Sequence, residues 1–151
     1  YYNRDTLNEV IRLTKQNYGY EILWAKMNVK TDSSLDDYKT FLGQSLIYLD
    51  VSFRTPMNRA RTEAMLSGCC VVQVKGAHDL DRFAKDGENI VLVNNSPKDI
   101  SDMLYTLIEN NYNKAVDIGQ NAKKIATKLF NRKRYKQDWV KLINDKVGIK
   151  I

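Results

Sequence analysis

Two periodicities alternate along this chain, and that alternation limits it to few folds. Leu7, Val10, Ile11 and Thr14 stand at i, i+3, i+4 and i+7, so residues 5–17 read as an amphipathic helix that Asn17-Tyr18-Gly19 ends. Residues 20–25 are a short, mostly apolar run of strand type. Helical spacing returns with Leu35, Tyr38, Phe41 and Leu42, for which Ser34 is available as N-cap. Residues 46–51 are apolar enough for a strand covered on both faces. Thr55-Pro56 then predicts a helix start, since threonine can cap and proline suits the first helical position. That helix runs to about Ser67, where Gly68 supplies a left-handed stop. A second apolar strand is expected over residues 69–74. A short helix at 80–84 and a Lys85-Asp86-Gly87 turn lead to a third apolar strand at 89–93.

The rest of the chain changes character. Ser96-Pro97 opens a helix carrying Ile100, Met103, Leu104, Leu107 and Ile108. Ala115, Ile118, Ala122, Ile125, Ala126 and Leu129 form a second stripe, small enough for close helix contact. Asn131 can cap a last helix with Tyr135, Trp139, Leu142 and Ile143. Alternating helix and strand followed by helices implies a doubly wound α/β domain with a Rossmann-like parallel sheet, ending in a run of helices. At 151 residues the chain is expected to be one domain with one sizeable core. No linker or internal repeat divides it. It opens on Tyr1-Tyr2-Asn3-Arg4 without an initiator methionine, and it is therefore expected to be a piece of a longer chain.

Charge is unevenly placed. Net charge is +6, yet Lys123, Lys124, Lys128, Arg132, Lys133, Arg134, Lys136 and Lys141 stand against Asp138 alone between residues 123 and 141. Elsewhere sixteen basic residues face seventeen acidic ones. The basic character therefore belongs to one segment: either a solvated helix face, or a face for an anionic membrane surface or acidic partner. No basic-aromatic motif of nucleic-acid recognition accompanies it, so no nucleic-acid partner is expected. Cys69 and Cys70 are neighbours in an apolar run and read as buried thiols, not a disulfide. With one histidine, His78, no metal constellation is credible, and no metal is expected.

The junction after the 46–51 strand carries the most suggestive chemistry. In open parallel sheets, ligands bind beyond the carboxyl ends of the strands. Residues 51–59 place a helix N-terminus directly after a strand, where free N–H groups and the positive dipole end favour an anion. Arg54, Arg59 and Arg61 can add bidentate donors. Glu63, lower on the same helix, is an acceptor-only group suited to a ribose diol. The plainer reading pairs Glu63 with Arg59 at i, i+4 on a solvated surface. Neither a Gly-x-Gly-x-x-Gly turn nor a P-loop is present.

From Arg61 to Val72 the chain, Arg-Thr-Glu-Ala-Met-Leu-Ser-Gly-Cys-Cys-Val-Val, resembles the Glu-Ala-Met-x-x-Gly-x-Pro-Val-Val signature of the large family-4 group of retaining glycosyltransferases. Residues 83–93, with Asp86-Gly87-Glu88-Asn89, look like that family's Asp-Gly-x-Asn-Gly passage. Gly119-Gln120-Asn121-Ala122, Leu129-Phe130-Asn131 and Trp139 are similar to its closing helices. The resemblance covers roughly residues 5–147, with three motifs in order. It implies the C-terminal half of a two-domain GT-B fold, which binds a nucleoside diphosphate sugar while an N-terminal domain holds the acceptor. Glu63 matches the second glutamate of the family's Glu-x7-Glu motif, which holds the ribose. The residues before it match the loop whose amides hold the diphosphate, with no metal and no separate cofactor.

The departures from the family pattern bear on the site. Thr55 stands where the first motif glutamate would be, so sugar handling passes to Thr55 or Asn58, or donor specificity differs. Cys70 replaces the proline before the Val-Val pair. The Gly-x-x-Glu loop is replaced by residues 76–81, from which His78, Asp79 or Asp81 could reach the donor. The candidate set is thus Arg59 and Arg61 as catalytic donors to the leaving diphosphate, with Arg54, Thr55, Asn58, Glu63 and His78 binding the donor. The expectation is metal-independent, retaining transfer in polysaccharide or envelope glycan synthesis. The expected location is cytoplasmic, with peripheral attachment at the inner membrane face as a variant. The rivals are a nucleotide-sugar 2-epimerase half, a non-catalytic flavodoxin-like binding module, and an adaptor acting through the basic segment.

Overall fold

The computed structural model describes residues 3–23, 35–52, 58–76 and 80–147. Among these, three strands form one parallel sheet in chain order: β1 (Ile47–Asp50), β2 (Cys70–Val74) and β3 (Val91–Val93). The register sets Ile47 opposite Cys70, Asp50 opposite Gln73, and Val72 opposite Val91. All five residues of the central strand are buried, as expected of a parallel strand covered on both faces.

Side-chain alternation along β2 divides the core in two. Cys70, Val72 and Val74 meet Val10 of α1 (Arg4–Tyr18) with Ile100 and Leu104 of α4 (Pro97–Tyr105). On the opposite face Val71 and neighbouring Cys69 meet Leu42 of α2 (Leu35–Gly43), Ala64 and Met65 of α3 (Arg59–Ser67), and Ala122 and Ala126 of α5 (Tyr112–Leu129). Helices on both faces of a parallel sheet make this the doubly wound α/β fold that the alternation predicts. Between α1 and α4 a buried polar contact, Thr14 Oγ1 to Ser101 Oγ at 3.0 Å, satisfies two hydroxyls inside the apolar layer.

One stop and two caps are read correctly from sequence. Gly68 ends α3 at φ 91°, its N–H donating to the Met65 carbonyl. Ser96 caps α4, with Pro97 in its first turn. Asn131 accepts from the Arg134 amide at 2.7 Å and so caps α6 (Arg132–Val147). The small-residue stripe of α5 also has its reason. A Cβ on Gly119 would lie 2.1 Å from the Gly68 carbonyl oxygen, so only glycine lets α5 cross the α3–β2 turn at this distance.

Two expectations need correction, and two helices carry features that spacing alone does not show. No strand forms over residues 20–23. Leu23 is 77% exposed, Glu21 pairs with Lys15 at 2.6 Å, and the Tyr20 hydroxyl donates to Glu109, which draws this stretch to the surface. Residues 24 and 25 lie outside the described ones. The helix predicted from Pro56 begins at Arg59, because Asn58 is the residue that caps it. Past Tyr105, α4 widens into a π-turn, Thr106–Asn110, that keeps Leu107 buried. The apolar residues of α6 join neither core: Tyr135, Trp139 and Leu142 stay exposed.

Candidate functional site

At the carboxyl edge of the sheet the chain buries charge. Asp50 ends β1 and is 5% exposed; Gln73, its register partner on β2, is fully buried. Asp50 Oδ1 accepts from the Ser52 amide at 2.9 Å and from Ser52 Oγ at 2.6 Å. Its Oδ2 accepts from Asn58 Nδ2 at 2.5 Å. Gln73 Nε2 donates to the backbone carbonyls of Ser52 at 2.6 Å, Val74 at 3.1 Å and Asp50 at 3.2 Å. Buried polar groups need such partners, because one left without any costs about 1–3 kcal/mol.

Asn58 links this network to α3. With Nδ2 held by Asp50, its Oδ1 faces the helix and accepts from the Arg61 amide at 3.3 Å. The first-turn amides of a helix have no intrahelical acceptor. Arg61 N is taken by the cap, while the Arg59 and Ala60 amides have no acceptor among the described residues. The helix start therefore lies three residues later than Thr55-Pro56 suggests.

The candidate residues separate into three groups. Arg59 is at the surface, its side chain 92% exposed, and pairs with Glu63 at 3.1 Å, the plain i, i+4 contact available to it. Glu63 also receives the Tyr38 phenol of α2, which burial and then the nearby carboxylate push up to about 12. Arg61 points inward. It is 1% exposed, donates through Nη1 to Gln73 Oε1 at 3.1 Å, and lies 5.5 Å from the Phe83 ring centroid in a cation–π contact. Burial turns it inward from the helix surface, with Gln73 and the Phe83 ring as partners of its guanidinium. Arg54, Thr55, His78 and Asp79 lie outside the described residues; Asp81 is exposed.

Asp50, Ser52, Gln73 and Tyr38 were not among the candidates. The signal for two of them was available: a carboxylate and an amide inside runs that otherwise read as buried strand. Polar residues at such positions need internal partners. The Asp86-Gly87 motif proves structural. Asp86 Oδ1 accepts from the Leu92 amide, Asn89 bridges Lys85 N and Phe83 O, and Gly87 at φ 72° closes the turn onto Ile90. Cys69 and Cys70 are buried free thiols, raised by burial to about 11 and about 12. Among the described residues no group of three or more His, Cys, Asp or Glu could hold a metal ion, and no helix is long and apolar enough to cross a membrane.

No protein-family model matches the sequence, and no curated protein matches it. Solved structures do match. TarM shares 18% identity at a TM-score of 0.75 over 95% of this chain. The C-terminal domain of LpcC, a group 1 glycosyl transferase of Francisella tularensis, shares 19% at 0.68 over 87% of this chain and 80% of that one. HepE of Anabaena, in complex with UDP, shares 23% at 0.65 over 72% of this chain. The fold is that of a GT-B C-terminal domain. This chain spans 30% of HepE and 32% of TarM, so it matches one portion of each. In the GT-B setting, the edge that carries Asp50 and the α3 mouth is the carboxyl end of the parallel strands, where ligands of such sheets bind.

Proposed function

We propose that this chain is the donor-binding half of a glycosyltransferase and takes a nucleoside diphosphate sugar at the mouth of α3. The observation that carries the reading is the Asp50–Asn58 link, buried at its Asp50 end. It holds a helix N-terminus at the carboxyl edge of a fold whose solved likeness HepE is in complex with UDP. The Arg59 and Ala60 amides receive the diphosphate, where the helix dipole favours negative charge. Arg54, Thr55 and His78, from the two connections at this edge, remain donor-binding candidates.

Arg59 and Glu63 change partners in this reading. Their mutual pair is exposed, and such pairs contribute only about 0.3–0.5 kcal/mol. A ribose diol at Glu63 displaces the guanidinium, which swings one turn toward the helix start and adds charge-assisted bonds to the diphosphate. Arg59 thereby stabilises charge that develops on the departing diphosphate. Arg61 acts from below as a positioning residue. Transfer is metal-independent and retaining, within polysaccharide or envelope glycan synthesis, and an N-terminal domain holds the acceptor. The basic face that runs from Lys123 into α6 suits an anionic membrane surface, which would hold the enzyme at the inner face of the membrane.

Calorimetric titration with UDP, GDP, ADP and FMN tests the site. We expect saturable UDP binding that Glu63→Ala weakens by about 1–3 kcal/mol, the worth of a lost bond to a charged group. Binding of FMN without any diphosphate would move the chain to the flavodoxin-like class. UDP affinity indifferent to Glu63→Ala would remove Glu63 from the ribose.

A further inference from the structure

The connection between β1 and α3 has its described ends at Ser52 and Asn58, and one carboxylate holds both. We infer that Asp50 is a positioning residue of the donor site, tying the end of β1 to the cap of α3 so that the Arg59 and Ala60 amides keep a fixed aim. This rests on the donor-site reading above. Three donors converge on the two oxygens of Asp50: the Ser52 amide, Ser52 Oγ and Asn58 Nδ2. Only an acceptor at both oxygens satisfies all three, and an ionised carboxylate is that group.

Orientation follows from donor and acceptor matching. The carboxylate admits only the Nδ2 edge of Asn58, so Oδ1 must face α3, where it caps the Arg61 amide. A flipped Asn58 would set its Oδ1 against the carboxylate and lose the cap. Gln73 locks the same arrangement from β2. Its Nε2 holds the Ser52 carbonyl at 2.6 Å, while its Oε1 is fixed by Arg61 Nη1 at 3.1 Å. The strand end, the helix cap and the buried guanidinium are thus one hydrogen-bonded unit. Asp50 is itself buried and acts through Asn58 and Ser52.

Asp50→Asn separates this role from mere packing, since it keeps the shape and replaces one acceptor oxygen with a donor. Two measurements on the same chain decide it: amide hydrogen exchange, and calorimetric affinity for UDP and for uridine. We expect exchange at the Ser52, Arg61 and Thr62 amides, which bond within this junction, to accelerate about tenfold or more while β2, β3 and α4 keep wild-type protection. UDP affinity should fall about tenfold, the scale of one charge-assisted bond, with uridine affinity unchanged. Wild-type exchange at those three amides in the variant overturns the inference, whatever the nucleotide does. Equal losses for UDP and uridine also overturn it, because they make Asp50 a general support and not the aim of the diphosphate amides. If the wild-type chain binds neither ligand, the donor reading fails by itself, and exchange still decides whether Asp50 ties the junction. Should Asp50→Asn fail to fold, Asn58→Asp serves in its place. It retains an oxygen to cap Arg61 but sets a carboxylate against Asp50, and the same exchange and affinity pattern is expected.

Discussion

The β1–α3 and β3–α4 junctions have the same topology and opposite chemistry. Each takes the chain from a parallel strand to a helix at the carboxyl edge of the sheet. At β3–α4 the cap is Ser96, whose Oγ accepts from the Asp99 amide at 3.3 Å, with Pro97 setting the first turn. Neighbouring Asn94 and Asn95 are exposed, so water can satisfy what the cap does not. At β1–α3 the cap is wired inward through Asp50, and Ser52, Arg61 and Gln73 are buried with it. Starting a helix needs one serine. The additional buried polar side chains hold backbone in a set geometry where water cannot, which supports reading the first junction as the binding edge and the second as plain connection.

The sharpest way to break this contrast is Asp50→Ala. It strands three buried or part-buried donors, and a fall of about 3 kcal/mol in unfolding free energy is expected from urea denaturation. A fall no larger than that of an ordinary cap would make the two junctions equivalent. Ser96→Ala sets the scale for the other side, with an expected loss of about 1 kcal/mol and no change in nucleotide affinity. An affinity change there would extend the binding edge across the sheet. The smallest effect belongs to Arg59→Ala. Its exposed pair with Glu63 supports the helix by no more than about 0.5 kcal/mol, so the melting temperature should barely move while UDP binding weakens. A large stability loss without an affinity change would reverse its assignment from ligand to scaffold.

Within one junction, sequence reasoning succeeded and failed for separate reasons. Arg59 and Glu63 are one helical turn apart, and their facing positions follow from spacing alone. Arg61, two residues from Arg59, reads from spacing as another surface arginine. Its burial depends on Gln73 and Phe83, twelve and twenty-two positions further along. Threonine before proline is a sound local signal and points to a cap at Thr55. Asn58 prevails because Asp50 orients it, a contact across eight residues. In α6 the apolar spacing of Tyr135, Trp139 and Leu142 is real, but spacing cannot say whether a partner surface is present. Among the described residues those side chains stay exposed.

The sequence by itself determined the alternation of helix and strand, the doubly wound class, the stops at Gly19 and Gly68, the caps at Ser96 and Asn131, and the buried thiols. Each of these depends on backbone preferences, side-chain period or hydrogen bonds spanning a few residues, which are written locally. The tertiary structure alone decided that Asp50 and Gln73 lie side by side, that Arg61 turns inward, and that Asn58 and not Thr55 starts the helix. Those outcomes come from parallel strand register. Pairing residues 23 positions apart sets the Gln73 amide where it holds the Asp50 and Ser52 backbone carbonyls and accepts from Arg61, beside the carboxylate that Ser52 and Asn58 satisfy.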